Sequence, residues 1–175
     1  MYNNAINIES LKGFVAEEKT MAKYRRITIE WSYPIEINSI LEKESMNDKG
    51  IYYISRKFGD KESILYIGKT TDYFGRRLWS HYEDWLDKYK GKKSVRLGRI
   101  VSPLNISQEE LNTLINDAEK TIIFYLSNTE GCELIANIKS TRSINCEKLL
   151  KIKNIGFRGS LPEELFIPDY LLVSC

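Results

Sequence analysis

The stretch "GIYYISRKFGDKESILYIGKT", residues 50–70, governs how the rest of the chain is read. Two runs rich in Ile and Tyr, 50–55 and 64–68, bracket "RKFGDKES", in which Gly59-Asp60 supplies turn chemistry. This pattern predicts a β-hairpin. Side chains alternate along a strand, so a register that sets 55 against 63, and even positions against even ones, projects Tyr52 and Tyr66 from one sheet face. A glycine flanks each run, Gly50 before the first and Gly68 after the second.

Working outward, "YFGRRLWSHYEDWLDKYKGKK" predicts a helix from about Phe74 to Tyr89. Leu78, Tyr82, Trp85 and Tyr89 recur at helical spacing as its core stripe, and Arg77 and His81, four apart, stack on an adjacent face. A second helix opens at Ser107, with Glu110 three residues on completing a capping box. Its buried stripe is Leu111, Leu114, Ile115, Ala118, Ile122, Tyr125 and Leu126. On a helical wheel Glu119 falls among Ile115, Ile123 and Leu126, at the edge of that stripe. A carboxylate there is costly unless a cation satisfies it, and either a basic side chain or a metal ion would serve. "RITIEW" (26–31) predicts a strand and Pro34 to about Glu44 a helix, proline being tolerated at a helix start. Residues 138–175 carry little pattern, except that the final "LFIPDYLLVSC" suits a packed strand or an interface.

The chain has 175 residues, 42% of them hydrophobic and 11% aromatic, enough for one ordinary domain with a real core. It contains no apolar run long enough for a membrane span, and its N-terminus lacks the layout of a secretion signal. A cytosolic (cytoplasmic) protein without a membrane partner is expected. Three cysteines (Cys132, Cys146, Cys175) form no metal-ligand spacing and read as reduced. The net charge is only +2, yet residues 56–99 hold twelve Lys/Arg against six Asp/Glu, and the remainder of the chain sums to −4. A basic segment in an acidic chain is the footprint of a polyanion-binding face, or else of a solvated lysine-rich surface.

Gly50-Ile51-Tyr52 and Tyr66-Ile67-Gly68 on successive strands resemble the name-giving motif of the GIY-YIG nuclease superfamily. The resemblance continues in order: "RRLWSH" supplies Arg77 and His81 on the first helix after the hairpin, "DAEKTI" supplies Glu119 on the next, and "ELIANIK" supplies Asn137. It covers about 90 residues, from Gly50 to roughly Lys139. Arg76 competes with Arg77 for the arginine position, and Asn128 with Asn137; spacing to His81 and the preceding apolar run favour Arg77 and Asn137.

The resemblance implies an α+β fold, an α/β sandwich with a small central antiparallel sheet flanked by helices. The core would span about 50–139, with extensions at 1–49 and 140–175, in a single domain. It also implies hydrolysis of DNA phosphodiester bonds with one Mg²⁺ or Mn²⁺ ion held by Glu119. Arg77 would clamp the phosphate, Tyr52 would act as general base, His81 would accept its proton, and Tyr66 would hold the phosphate or the water. Nearby cations would favour the Tyr52 phenolate. Gly68, Lys69, Arg76, Lys92, Lys93 and Arg96 are the expected substrate-binding positions. A dimer would suit a double-strand cutter, and a binding module that keeps the fold without cutting is the alternative.

Overall fold

Strands follow the β-branched and aromatic runs, and helices the runs with period near 3.6. In chain order, the computed structural model has β1 (Arg25–Trp31), β2 (Ile35–Glu36), β3 (Gly50–Phe58), β4 (Lys61–Thr70), α1 (Phe74–Asp84), β5 (Lys92–Ser102), α2 (Gln108–Ser127), β6 (Leu150–Gly156) and β7 (Glu164–Leu165). Two 3₁₀ segments, Ile37–Glu42 and Leu86–Lys88, complete it. The structure describes residues 24–42, 47–129, 134, 136–137 and 149–168. All three cysteines, Arg142 and the last seven residues lie outside these.

Seven strands form one sheet among the described residues, in the order β4-β3-β5-β1-β6-β7, with β2 also paired to β5. Every pairing is antiparallel except β1 with β6, which run parallel. The fold is therefore α+β, but the sheet is larger than the small antiparallel one expected, and mixed. β1 and β6 lie far apart in sequence, so no tight turn obliges them to be antiparallel.

The sheet is covered on both faces. On one, α2 lays Leu114, Ile115, Ala118, Ile122, Ile123 and Leu126 over Ile51, Tyr53, Ile67, Ile29, Trp31 and Ile152. On the other, Phe74 and Leu78 of α1 pack with Ile37, Ile40 and Leu86 over Tyr52, Ile54, Val95 and Leu97. Alternation along β3 thus sends Tyr52 to the α1 face and Tyr53 to the α2 face. Ser107 caps α2 by accepting from the Glu110 backbone N–H at 3.1 Å, one half of the expected capping box, while the Glu110 carboxylate pairs with Arg25 rather than returning to Ser107. No helix among the described residues is long and apolar enough to cross a membrane.

Several expectations are corrected. Near the motif even positions do oppose even ones, Tyr52 with Gly68 and Ile54 with Tyr66, but a bulge then sets Ser55 against Ile64 rather than 63. Helix α1 stops at Asp84, because Trp85 leaves helical geometry (φ −151°, ψ −23°). The proposed helix from Pro34 is instead a strand followed by a 3₁₀ turn, since Ile35 and Glu36 pair with Val95 and Ser94 of β5. Residues 92–102, read only as part of a basic surface, form a strand between β3 and β1. In "LKIKNIG" (150–156), Leu150, Ile152 and Asn154 alternate inward, a strand signal that its lysines obscured.

Candidate active site

The two glycines of the hairpin have distinct reasons. At Gly50, φ is 151° and an added Cβ would lie 2.2 Å from the Gly98 carbonyl oxygen, so only glycine lets β3 start against β5. At Gly68 the obstacle is the partner's ring. Tyr52 sits directly opposite and leans across the strand, so a Cβ would lie 2.5 Å from its Cζ and Oη and equally close to Tyr66 Cε1. Removing that carbon brings the two phenol rings to 6.2 Å between centroids.

Helix α1 closes over them. Phe74 and Leu78 anchor it, Phe74 meeting the Tyr52 ring edge-on at 6.3 Å. Anchoring turns the adjacent stripe, Arg77, His81 and Trp85 at four-residue spacing, toward the phenols. His81 is buried (6% exposed), with Nε2 2.7 Å from Tyr52 Oη and Nδ1 accepting from Trp85 Nε1 at 2.9 Å. Its ring lies 4.8 Å from that of Tyr66. Arg77 keeps much of its side chain exposed, but the charge of its guanidinium reaches both phenols.

Glu119 arrives from α2, on the opposite face, beside the edge strand β4. Its carboxylate, 16% exposed, is 3.1 Å from Lys69 Nζ, and its charge reaches Tyr52 and Tyr66. Its apolar neighbours on the helix account for the position at the stripe edge. Lys69 satisfies the charge that the wheel left unpaired.

Protonation follows from burial. Burial, with Tyr66 beside it, holds the Tyr52 phenol above its usual range despite Arg77, so Tyr52 is neutral near pH 7. Arg77 does favour the phenolate, as expected of a neighbouring cation, but burial outweighs it. Tyr66 is raised for the same first reason. Burial and the Arg77 charge push His81 down to about 4, leaving it a neutral imidazole. Burial raises the Glu119 carboxyl, with Lys69 and Arg77 opposing. For Arg77, burial would lower the pKa, but the phenols reverse it and the side chain stays charged.

Five sequence-nominated side chains, Tyr52, Tyr66, Arg77, His81 and Glu119, therefore gather, with Gly68 and Lys69 at the same place. Asn137 has a different task. Its carboxamide is buried at the outer edge of β4, accepting from the Ile67 N–H at 2.8 Å and donating to the Ile67 carbonyl at 2.7 Å. It fastens the strand that carries Tyr66 and Gly68. Asn128, its competitor, ends α2 and donates to the Phe124 carbonyl.

Other candidates lie elsewhere. Arg76 is 84% exposed and pairs with Asp72 at 3.3 Å. Arg96 corrects its assignment: it points to the α2 face, 8% exposed, bonded to Glu62 at 2.6 Å and set over the Tyr53 ring, so it is structural rather than substrate-binding. Lys92 pairs with Glu36, and Lys93 stands opposite Arg56, four positions along β3 from Tyr52 and so about 13 Å away. Trp85 was read as core, yet its indole bonds to His81. The signal was present as the third member of the 77–81–85 spacing.

Glu119 offers one hard oxygen donor, which would suit a cation that retains most of its waters. Among the described residues no three His, Cys, Asp or Glu side chains assemble, so these residues offer no all-protein cage. Against this geometry, no protein-family model, curated protein or solved structure matches the chain.

Proposed function

We propose that the protein is a metal-dependent DNA endonuclease of the GIY-YIG type. The observation that carries this reading is the convergence of Tyr52, Tyr66, Arg77, His81 and Glu119 from two strands and two helices onto one cluster. The antiparallel trio β4-β3-β5, with α1 and α2 on opposite faces, agrees with the nuclease core that the motif implies.

Hydrolysis joins a water oxygen to phosphorus as the bond to the 3′ oxygen breaks; the water gives up a proton and the leaving oxygen takes one. Charge accumulates on the non-bridging oxygens meanwhile. Arg77, permanently charged and beside two phenols, offers them forked donors. Tyr52 Oη, fixed by His81, receives the water's proton as its own passes to a phosphate oxygen and from there to the leaving 3′ oxygen. Tyr66, tethered through β4 to Asn137, aligns the phosphate. Glu119, with water and phosphate oxygens, would hold Mg²⁺ or Mn²⁺, which when bound supplies positive charge for the leaving 3′ oxygen. Lys69 balances Glu119 and is free to turn to a phosphate once a cation takes its place.

Supercoiled plasmid incubated with Mg²⁺ tests this. Nicking or cutting is expected, abolished by EDTA and lost in both Glu119→Gln and Arg77→Ala. The Lys69–Glu119 pair favours one rival, a DNA-binding module in which the carboxylate serves only the lysine; retention of DNA with no cutting under any divalent cation would establish it instead.

A further inference from the structure

We propose that Trp85 is a positioning residue that locks His81 in the Nε2–H tautomer, making His81 a hydrogen-bond donor to Tyr52 rather than the acceptor of its proton. An indole N–H only donates, and Trp85 Nε1 lies 2.9 Å from His81 Nδ1. Nδ1 therefore presents a lone pair. A neutral imidazole carries its single proton on the other nitrogen, and that nitrogen, Nε2, is 2.7 Å from Tyr52 Oη. The hydrogen bond thus runs from His81 to Tyr52. A doubly protonated ring is excluded while the indole occupies Nδ1, because two donors would face each other.

The groups around the imidazole support this assignment. Tyr52 faces it from β3 and Tyr66 from β4, while α1 contributes Arg77 and Asp84. The Arg77 charge opposes a second proton, and burial does so more strongly. Rings of Tyr66 and Trp85 enclose the imidazole, at 4.8 and 5.5 Å between centroids.

The consequence for chemistry rests on the nuclease reading; the hydrogen-bond direction does not. With one lone pair of Tyr52 Oη held by Nε2–H, the phenolic proton points away from His81, toward the side of Tyr66 and Arg77. Any phenolate that forms as Tyr52 passes its own proton to the phosphate keeps a donor from His81 and charge from Arg77 until it takes the proton of the attacking water. His81 then stabilises the base without titrating. Its expected role as proton acceptor is replaced.

The chain's single histidine makes the test direct. In protein labelled with ¹⁵N-histidine, long-range ¹H–¹⁵N spectra near pH 7 should show His81 with a protonated Nε2 and a bare Nδ1, unchanged down to about pH 5. Trp85→Phe keeps the ring but removes the donor: Nδ1 should become protonated in part, and His81 should titrate at higher pH. If the plasmid is cut, kcat in Trp85→Phe should fall about tenfold or more with KM held, as expected when an imidazole loses the group that sets its tautomer. A wild-type spectrum with Nδ1 protonated at neutral pH overturns the proposal, even if Trp85→Phe fails to fold. So does a Trp85→Phe spectrum and titration identical to wild type. Absence of cutting with the expected spectra would refute the nuclease reading and leave the tautomer lock standing.

Discussion

His81 shows how one burial changes both chemistry and stability. The unfolded chain binds a proton at this residue near pH 6.5, whereas the folded protein does so only at about 4. Between those values the unfolded state holds more protons, so stability falls as pH drops through this window and is regained as it rises. The loss at its full extent is about 3 kcal/mol. Glu119 acts in the opposite sense, since its raised carboxyl binds a proton in the folded state first. Urea midpoints measured from pH 7 to 5 should therefore decline in the wild type, and His81→Gln should flatten the decline. Gly68 offers a second test at this scale. An alanine methyl would sit 2.5 Å from atoms of both phenol rings, in a place where neither ring can retreat without moving Phe74 or His81. Gly68→Ala is expected to cost about 1–3 kcal/mol in thermal or urea unfolding and to abolish plasmid nicking, because it parts the phenols. Nothing in the periodicity of residues 64–70 distinguishes this glycine from a turn former; only the ring lying across it does.

Among the described strands β4 is at the end of the sheet, and its outer backbone groups need partners. Ala136 N–H bonds to the Leu65 carbonyl at 3.0 Å, and the Asn137 carboxamide takes both the N–H and the carbonyl of Ile67. Replacing Asn137 with alanine should cost about 1–3 kcal/mol for each group left bare. Hydrogen exchange at the Ile67 amide should quicken more than at Ile54, which lies within the sheet. An Asn137→Ala protein that lost cutting while Ile67 stayed protected would instead mean that the carboxamide meets the substrate. From sequence, Asn137 is an asparagine after an apolar run, legible as a candidate but silent about its task. The end of α1 was equally hidden: apolar spacing continues through Trp85 and Tyr89, but Trp85 abandons helical dihedrals and so directs its indole to His81. Local periodicity described α2 well because its cap and its apolar stripe agreed.

Over the whole molecule, the segments outside the motif complete the sheet. β1 inserts between β5 and β6, and Trp31 Nε1 donates to Asn154 Oδ1 at 2.9 Å, so a buried side-chain hydrogen bond reinforces the ladder that joins the two outer parts of the described chain. Charge is redistributed by the same folding. Of the twelve basic residues in 56–99, five (Lys69, Arg76, Lys92, Arg96, Arg99) are paired with carboxylates, and three of those carboxylates, Glu36, Asp48 and Glu119, come from outside that stretch. The seven left, joined by Lys69 once a cation releases it from Glu119, set a ceiling on phosphate contacts from this segment. If this segment supplies the contacts, the slope of log K for duplex DNA against log salt should be no steeper than about −7, measured by titration at several ionic strengths. A slope near −10 would mean that the ion pairs open on binding. By itself the sequence determined the hairpin, the two helices on either side of β5, and which polar residue types stand where, because these depend on spacing within a few turns or strand positions. Tertiary structure alone decided that β1 and β6 pair in parallel, that Arg96 is buried while Arg77 lies beside the phenols, and that Asn137 fastens β4, because each depends on contacts between residues distant in the chain.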